Sequence, residues 1–202
     1  MTRIIAGIAR GRRLAVPANG TRPTSDRVRE SLFSTLESEL RADGTAWPGT
    51  SVLDLFAGSG ALGLEALSRG AAGVVLVEKS RAAARTITAN IQAVDCPGAQ
   101  VLIRDARQLP AAPPPGDPST MCLLDPPYDW PVADLRDLLA GLVRAGWLSG
   151  DAIVVVERPA RDPGRPFPDT WPEARRRTYG DTALWYGRSV GAAGARPEEG
   201  SR

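Results

Sequence analysis

Residues 52–67 read VLDLFAGSGALGLEAL, an apolar run that ends in a carboxylate, passes through small residues and re-emerges as a helix. Val52, Leu53, Leu55 and Phe56 form the near-continuous apolar strand expected of a parallel sheet covered on both faces. Leu62, Leu64, Leu67 and the intervening alanines suit a helix packed back on that strand, and Gly70 ends it. Gly58, Gly60 and Gly63 spell GxGxxG, and Glu78 closes the next apolar strand (74–77), at the distance from the loop where an acid holds a ribose hydroxyl. A purely structural glycine turn would give the same spacing. Asp54 tips the reading, because a carboxylate at the strand end repels a pyrophosphate and welcomes a cation. S-adenosylmethionine carries a sulfonium and an ammonium where a nicotinamide dinucleotide has phosphates, and it keeps the ribose.

With 202 residues the chain accommodates one α/β domain with additions. It has no apolar run of ~18 residues to span a bilayer. The first residues, MTRIIAGIARGRR, lack the apolar core of roughly 7 to 15 residues found in a signal peptide, so the expected location is the cytoplasm. Histidine is absent and Cys96 and Cys122 are the only cysteines, which removes zinc clusters and histidine-based catalysis together; no metal is expected. The chemistry is left to carboxylates, backbone and aromatic rings.

Of the 25 basic residues 24 are arginine, an excess that a GC-rich coding sequence would also produce, so position carries more information than number. Residues 1–29 hold Arg3, Arg10, Arg12, Arg13, Arg22, Arg27 and Arg29 against one acid, Asp26. Such a concentration is the footprint of a nucleic-acid surface, with Arg3, Arg10, Arg12, Arg13, Arg22 and Arg27 as candidate phosphate contacts; a basic edge that discourages aggregation is the plainer alternative. Ile4, Ile5 and Ile8, then Leu14 and Val16, flank the 9–12 turn, which predicts a basic β-hairpin extension over 1–20 ahead of a main domain at 21–188. After a loop from Pro17 to Pro23, Thr24 or Ser25 caps a helix carrying Val28, Leu32, Leu36 and Leu40. That helix N-terminus, with the Thr24 and Ser25 hydroxyls, is a candidate anion site for the methionine carboxylate of the cofactor.

Further along, 80–94 reads as a helix and 101–103 as the third strand, closed by Asp105. Asp105 could accept a hydrogen bond from an adenine amino group, with the Ala106 amide beside it, or simply cap a helix. The proline-rich stretch LPAAPPPGDPS (109–119) stands where a crossover helix is usual and is expected to be a surface loop. Strands at 121–124 and 153–156 bracket a helix carrying Leu135, Leu138, Leu139, Leu142 and Val143. A closing hairpin joins 175–179 to 182–188 through Gly180 and Asp181, and the tail from 189 onward is expected to be disordered.

Asp125, Pro126, Pro127 and Tyr128 follow the fourth strand directly, at the edge of the sheet that also holds the glycine loop. An exocyclic base amine delocalises its lone pair into the ring. Methylating it calls for acceptors that draw its hydrogens out of plane, and Asp125 and the Pro126 carbonyl are placed in sequence to do so. Pro127 would stiffen the carbonyl, and Tyr128 would stack on a base taken out of its helix. A proline turn with an exposed tyrosine is the alternative for this tetrapeptide alone.

Together RIIAGIARGRRLAVP, TRPTSDRVRESLF, DLFAGSGALGLEALSRGA and LLDPPY resemble the motifs of the RsmD-type 16S rRNA (guanine-N2)-methyltransferase family over most of the chain. The resemblance implies a class I AdoMet-dependent methyltransferase (Rossmann-like) fold with a seven-stranded sheet of order 3-2-1-4-5-7-6. It also implies methylation of the N2 amine of one guanine, guanine 966 in the family, on 16S rRNA or a small-subunit assembly particle, by a monomeric enzyme. Asp54, Ala57, Gly58, Gly60, Glu78 and Asp105 would then form the cofactor site, and Asp125 to Tyr128 the base site; Thr24, Ser25, Lys79 and Ala106 join the cofactor candidates by their positions alone. A DNA or protein-glutamine amino methyltransferase, an NAD-dependent oxidoreductase and a catalytically silent RNA-binding module are the rival readings.

Overall fold

The computed structural model describes residues 2–17 and 25–191. The sequence expectations for Arg22 and Thr24, and for the tail from 192 on, lie outside the described residues. Nine strands and four α-helices follow in chain order: β1 (Thr2–Arg3), β2 (Arg13–Leu14), α1 (Asp26–Ala42), β3 (Ser51–Leu55), α2 (Ala61–Ser68), β4 (Gly73–Glu78), α3 (Arg81–Val94), β5 (Ala99–Ile103), β6 (Ser119–Leu124), α4 (Val132–Arg144), β7 (Leu148–Pro159), β8 (Ala174–Tyr179) and β9 (Thr182–Arg188). The main sheet runs β5-β4-β3-β6-β7-β9-β8; counted from its first strand this is 3-2-1-4-5-7-6, as expected. Five strands are parallel, and β9 enters antiparallel between β7 and β8.

Strand alternation divides the core into two layers. Val52 of β3 joins Val74, Leu76, Met121 and Leu123 under α1, α2 and α3, where Leu32, Phe33, Leu36, Leu64 and Ile87 are buried. Leu53 and Leu55 point the other way, with Cys122, Leu124 and Val154, against α4 and a cluster holding Trp130, Trp147, Phe167 and Trp171. Val28, Leu32, Leu36 and Leu40 all face the core, as their spacing predicts.

The amino-terminal segment is an antiparallel hairpin whose ladder is short, Thr2 with Leu14 and Arg3 with Arg13, extended by the Ile4 amide donating to the Arg12 carbonyl (2.9 Å) and the Gly11 amide to the Ile4 carbonyl (2.9 Å), while amides of residues 5–9 bond to α2. Glu65 of α2, fully buried, accepts the amides of Ile5 (2.7 Å) and Ala6 (3.0 Å). Ser68 accepts the Ala9 amide on its hydroxyl (3.0 Å) and the Ile8 amide on its carbonyl (2.8 Å). Gly7 makes this approach possible: its φ is +83°, and a Cβ there would stand 1.8 Å from the Ser68 carbonyl oxygen.

Two expectations are corrected. Residues 106–111 of the proline-rich region form a 3-10 helix with Leu109 fully buried, and the Trp147 indole donates to the Leu109 and Ala112 carbonyls. The stretch is therefore a packed crossover at its start, not a surface loop throughout. The tail does not loosen at 189, since the buried Ser189 hydroxyl donates to the Ser149 carbonyl and accepts the Ala152 amide.

Candidate active site

At the carboxyl ends of β3, β4 and β6 lies a cavity of about 540 Å³, lined by Gly58, Glu78, Lys79, Asp105, Ala106, Asp125 and Pro127 among others. The glycine loop and the first part of the DPPY segment thus face one space, as their positions after parallel strands require. Phe56 and Arg104 also line it, and Pro17 brings the end of the amino-terminal arm to its rim.

The amides of all three loop glycines are already engaged. Gly58 donates to Glu78 Oε2 at 3.0 Å, Gly60 to the Ala57 carbonyl at 2.6 Å and Gly63 to Asp54 Oδ2 at 2.8 Å. Glu78 Oε1 accepts the Ser80 amide at 2.8 Å. A pyrophosphate cradle needs those N–H groups pointed at the ligand, so this arrangement does not suit a dinucleotide. The carboxylates of Glu78, Asp105 and Asp125 on the wall suit a ligand with a ribose, an amino group and positive charge.

Asp54 lies elsewhere than expected. It shares the β3 face of Val52, under α2, is 1% exposed, and its carboxylate meets the Gly63 amide instead of lining the cavity. Burial pushes its pKa up to about 7; the Gly63 hydrogen bond pulls the other way and the Glu78 charge adds to the rise. Ala57 and Gly60 are likewise buried in the body of the loop. A Cβ on Gly63 would lie 2.7 Å from Val74 and 2.9 Å from Leu76, so the third glycine permits close packing of α2 on β4. Asp105 caps the 3-10 helix through the Arg107 amide (2.9 Å), and it also lines the cavity.

Ser25 is the cap of α1, accepting the Val28 amide at 3.3 Å, but it lines a second cavity of about 480 Å³ together with Tyr128. The DPPY segment separates the two spaces, with Asp125 and Pro127 on the first and Tyr128, 53% exposed, on the second; Pro126 is buried between them.

Sequence reasoning missed the brace behind this segment. The Trp130 amide donates to the Pro127 carbonyl at 2.9 Å, its ring meets Phe56 edge-on with centroids 4.6 Å apart, and the Arg107 guanidinium sits 3.7 Å from its centroid. Phe56 adopts φ +62°, a left-handed conformation unusual for a bulky residue, which turns the chain from β3 into the loop. A tryptophan two residues after DPPY, in a chain with few aromatics, was the available signal.

The candidate phosphate contacts divide. Arg10, Arg13 and Arg27 are exposed, and Arg12 is exposed while donating to the Ala93 carbonyl at 3.0 Å. Arg3 pairs with Asp26 at 3.1 Å, and Arg29 is buried, pairing with Asp26 at 2.7 Å and donating to the Arg3 carbonyl at 2.8 Å. Arg29 is thus a structural part of the arm's attachment. On the far hairpin, Arg175 pairs with Glu39 and Arg177 donates to Thr35, so those side chains tie β8 to α1.

Residues 2–188 match the family described as Conserved hypothetical protein 95. The chain is 37% identical over 182 residues to the Ribosomal RNA small subunit methyltransferase D of Escherichia coli K12, covering 90% of this chain and 86% of that one. It is 36% identical over 188 residues to the Putative rRNA methyltransferase YlbH of Bacillus subtilis, covering 90% and 96%. Among solved structures, the putative methyltransferase yhhF from Escherichia coli superposes with a TM-score of 0.75 at 37% identity, covering 94% of this chain and 98% of that one.

Proposed function

The chain belongs to the Conserved hypothetical protein 95 family, the RsmD family, and from that premise we propose that it methylates the exocyclic N2 amine of a guanine in small-subunit (16S) ribosomal RNA. Its fold is that of the class I methyltransferases, and S-adenosylmethionine is the methyl donor. Support for an rRNA substrate comes from the relatives' names; support for an amine as acceptor comes from one observation, that Asp125 and Pro127 share the first cavity with Gly58 and Glu78.

The residues fit the donor. Glu78 holds the ribose, Asp105 and the Ala106 amide take the adenine edge, and Gly58 and Lys79 border the remaining space. When bound, S-adenosylmethionine supplies a methyl group whose bond to sulfur breaks as the bond to the acceptor nitrogen forms. Asp125 and the Pro126 carbonyl accept the N2 hydrogens, localising the lone pair on nitrogen, and the two prolines spare them reorganisation. After transfer, the proton that N2 sheds passes to the Asp125 carboxylate and from there to solvent. Tyr128 stacks on the extruded base, and Arg10, Arg12, Arg13 and Arg27 hold phosphates. The enzyme acts as a monomer in the cytoplasm, on 16S rRNA or an assembling small subunit, with guanine 966 as the family's site.

Mass spectrometry of small-subunit RNA from cells with and without the gene tests the proposal. One N2-methylguanine is expected to disappear on deletion and to be restored when purified protein and S-adenosylmethionine are added to the unmethylated RNA. Unchanged N2-methylguanine content would refute it.

A further inference from the structure

The second cavity, on the far side of the DPPY segment, is lined by two carboxylates that the mechanism above leaves unused, Asp181, exposed at its rim, and Glu157, buried. Glu157 lies near the end of β7, is 6% exposed, and lines this space with Ser25, Tyr128, Arg161, Tyr179 and Thr182. In the sheet, Leu124 of β6 is paired with Val156 of β7, so Asp125 and Glu157 each stand one residue beyond the same registered pair. Two carboxylates thus occupy neighbouring strand positions, Asp125 on the first cavity and Glu157 on the second. Tyr179 is held in place by a 2.5 Å hydrogen bond between its hydroxyl and that of Ser31.

We propose, building on the guanine-N2 reading, that this second cavity is the pocket for the extruded nucleoside and that Glu157 selects guanine by accepting its N1–H. A carboxylate is an acceptor only, and one almost withdrawn from water discriminates strongly between a donor and a lone pair. Guanine presents N1–H and the N2 amine on adjacent atoms of one edge. Adenine offers a lone pair at N1, which Glu157 repels. Two acceptors at neighbouring strand positions match adjacent donors, with Glu157 on N1–H and Asp125 on the amine to be methylated. Tyr128 and Tyr179 supply aromatic surface, and the exposed Arg161 at the rim suits a flanking phosphate. The volume of about 480 Å³ lies within the range of small-molecule sites, roughly 300 to 1,000 Å³.

The test compares single-turnover methylation of two RNAs that carry guanine or 2-aminopurine at the target position. 2-Aminopurine keeps the amine but has a lone pair at N1. Wild type is expected to favour guanine about a hundredfold or more, since the analogue leaves a buried polar group mispaired. Glu157→Gln, whose amide can donate to that lone pair, should shrink the preference at least tenfold, while calorimetric affinity for S-adenosylmethionine stays within twofold. An undiminished preference in a variant that binds S-adenosylmethionine normally would overturn the proposal. Should Glu157→Gln fail to fold, Ala160→Trp, which fills the cavity from its rim, must abolish methylation of both RNAs without loss of cofactor affinity; wild-type rates in that variant would equally overturn it. A wild-type protein inert toward guanine RNA would instead remove the guanine-N2 reading itself, and this inference with it.

Discussion

A carboxylate buried under a helix titrates differently from one facing a ligand, and Asp54 is of the first kind. Its pKa of about 7, against an ordinary 3.8, means that between about pH 4 and pH 7 the folded chain keeps a proton that the unfolded chain has lost. The contribution of this group to stability therefore falls as pH rises through that window, by up to about 4 kcal/mol. Asp54→Asn keeps an acceptor for the Gly63 amide and removes the titration. In urea unfolding the variant should exceed wild type at pH 8 and lose that advantage toward pH 5, and parallel pH profiles for the two proteins would refute the assignment. Because Asp54 is not on the cavity wall, the same variant should bind S-adenosylmethionine within a few-fold of wild type. Asp125 differs in that it lines the first cavity. Asp125→Ala should leave calorimetric cofactor affinity close to wild type while methyl transfer slows about a hundredfold or more, the cost of losing one preorganised polar group; a near-normal single-turnover rate would show that the amine is activated by other means.

At the level of elements, the arm, the glycine loop and α3 meet at Asn90. Its side chain is 2% exposed; it accepts the Ala15 amide at 2.8 Å and donates to the Ala15 carbonyl at 2.9 Å and the Ser59 carbonyl at 2.8 Å. Two kinds of substitution should therefore part company. Replacing Arg10, Arg12 and Arg13 with alanine should weaken RNA binding at every sequence and lower the slope of log K against log salt by roughly 0.7 to 0.9 per lost contact, with cofactor affinity unchanged. An unaltered salt slope would mean that these arginines form only a solvated edge. Asn90→Ala frees the arm and the loop together and should reduce both affinities, measured by filter binding and calorimetry. Within the main domain, Gly63→Ala should cost about 1 to 3 kcal/mol in denaturant unfolding, since the added methyl collides with Val74 and Leu76 of β4; a neutral result would mean that α2 moves away freely.

Over the whole molecule, what could be read in advance was whatever repeats with a period or sits at a strand end. The parallel sheet and the shared cavity of Gly58, Glu78, Asp105 and Asp125 follow from apolar runs punctuated by glycine and acid, whereas the strand order came only with the family resemblance. Positions fixed by long-range partners were not legible. Asp54 is turned from the cavity by the Gly63 amide of α2, Ser25 joins Tyr128 across the fold, and Leu109 is buried because Trp147 and α4 come to meet it. Arginine illustrates the limit most plainly: composition cannot separate exposed Arg10 from buried Arg29. The attachment of the arm has a consequence in time. Residues 2–17 are synthesised before the elements they dock on: apart from Asp26 and Arg29, which hold Arg3, the side chains and carbonyls that receive them, from Glu65 to Ala93, lie 59 to 81 residues further on. Closing loops of that length is repaid only once α2 and α3 exist to receive the segment. A segment made before its partners is thus among the last to settle, and its arginines are presented in fixed array only when α2 and α3 behind them have folded.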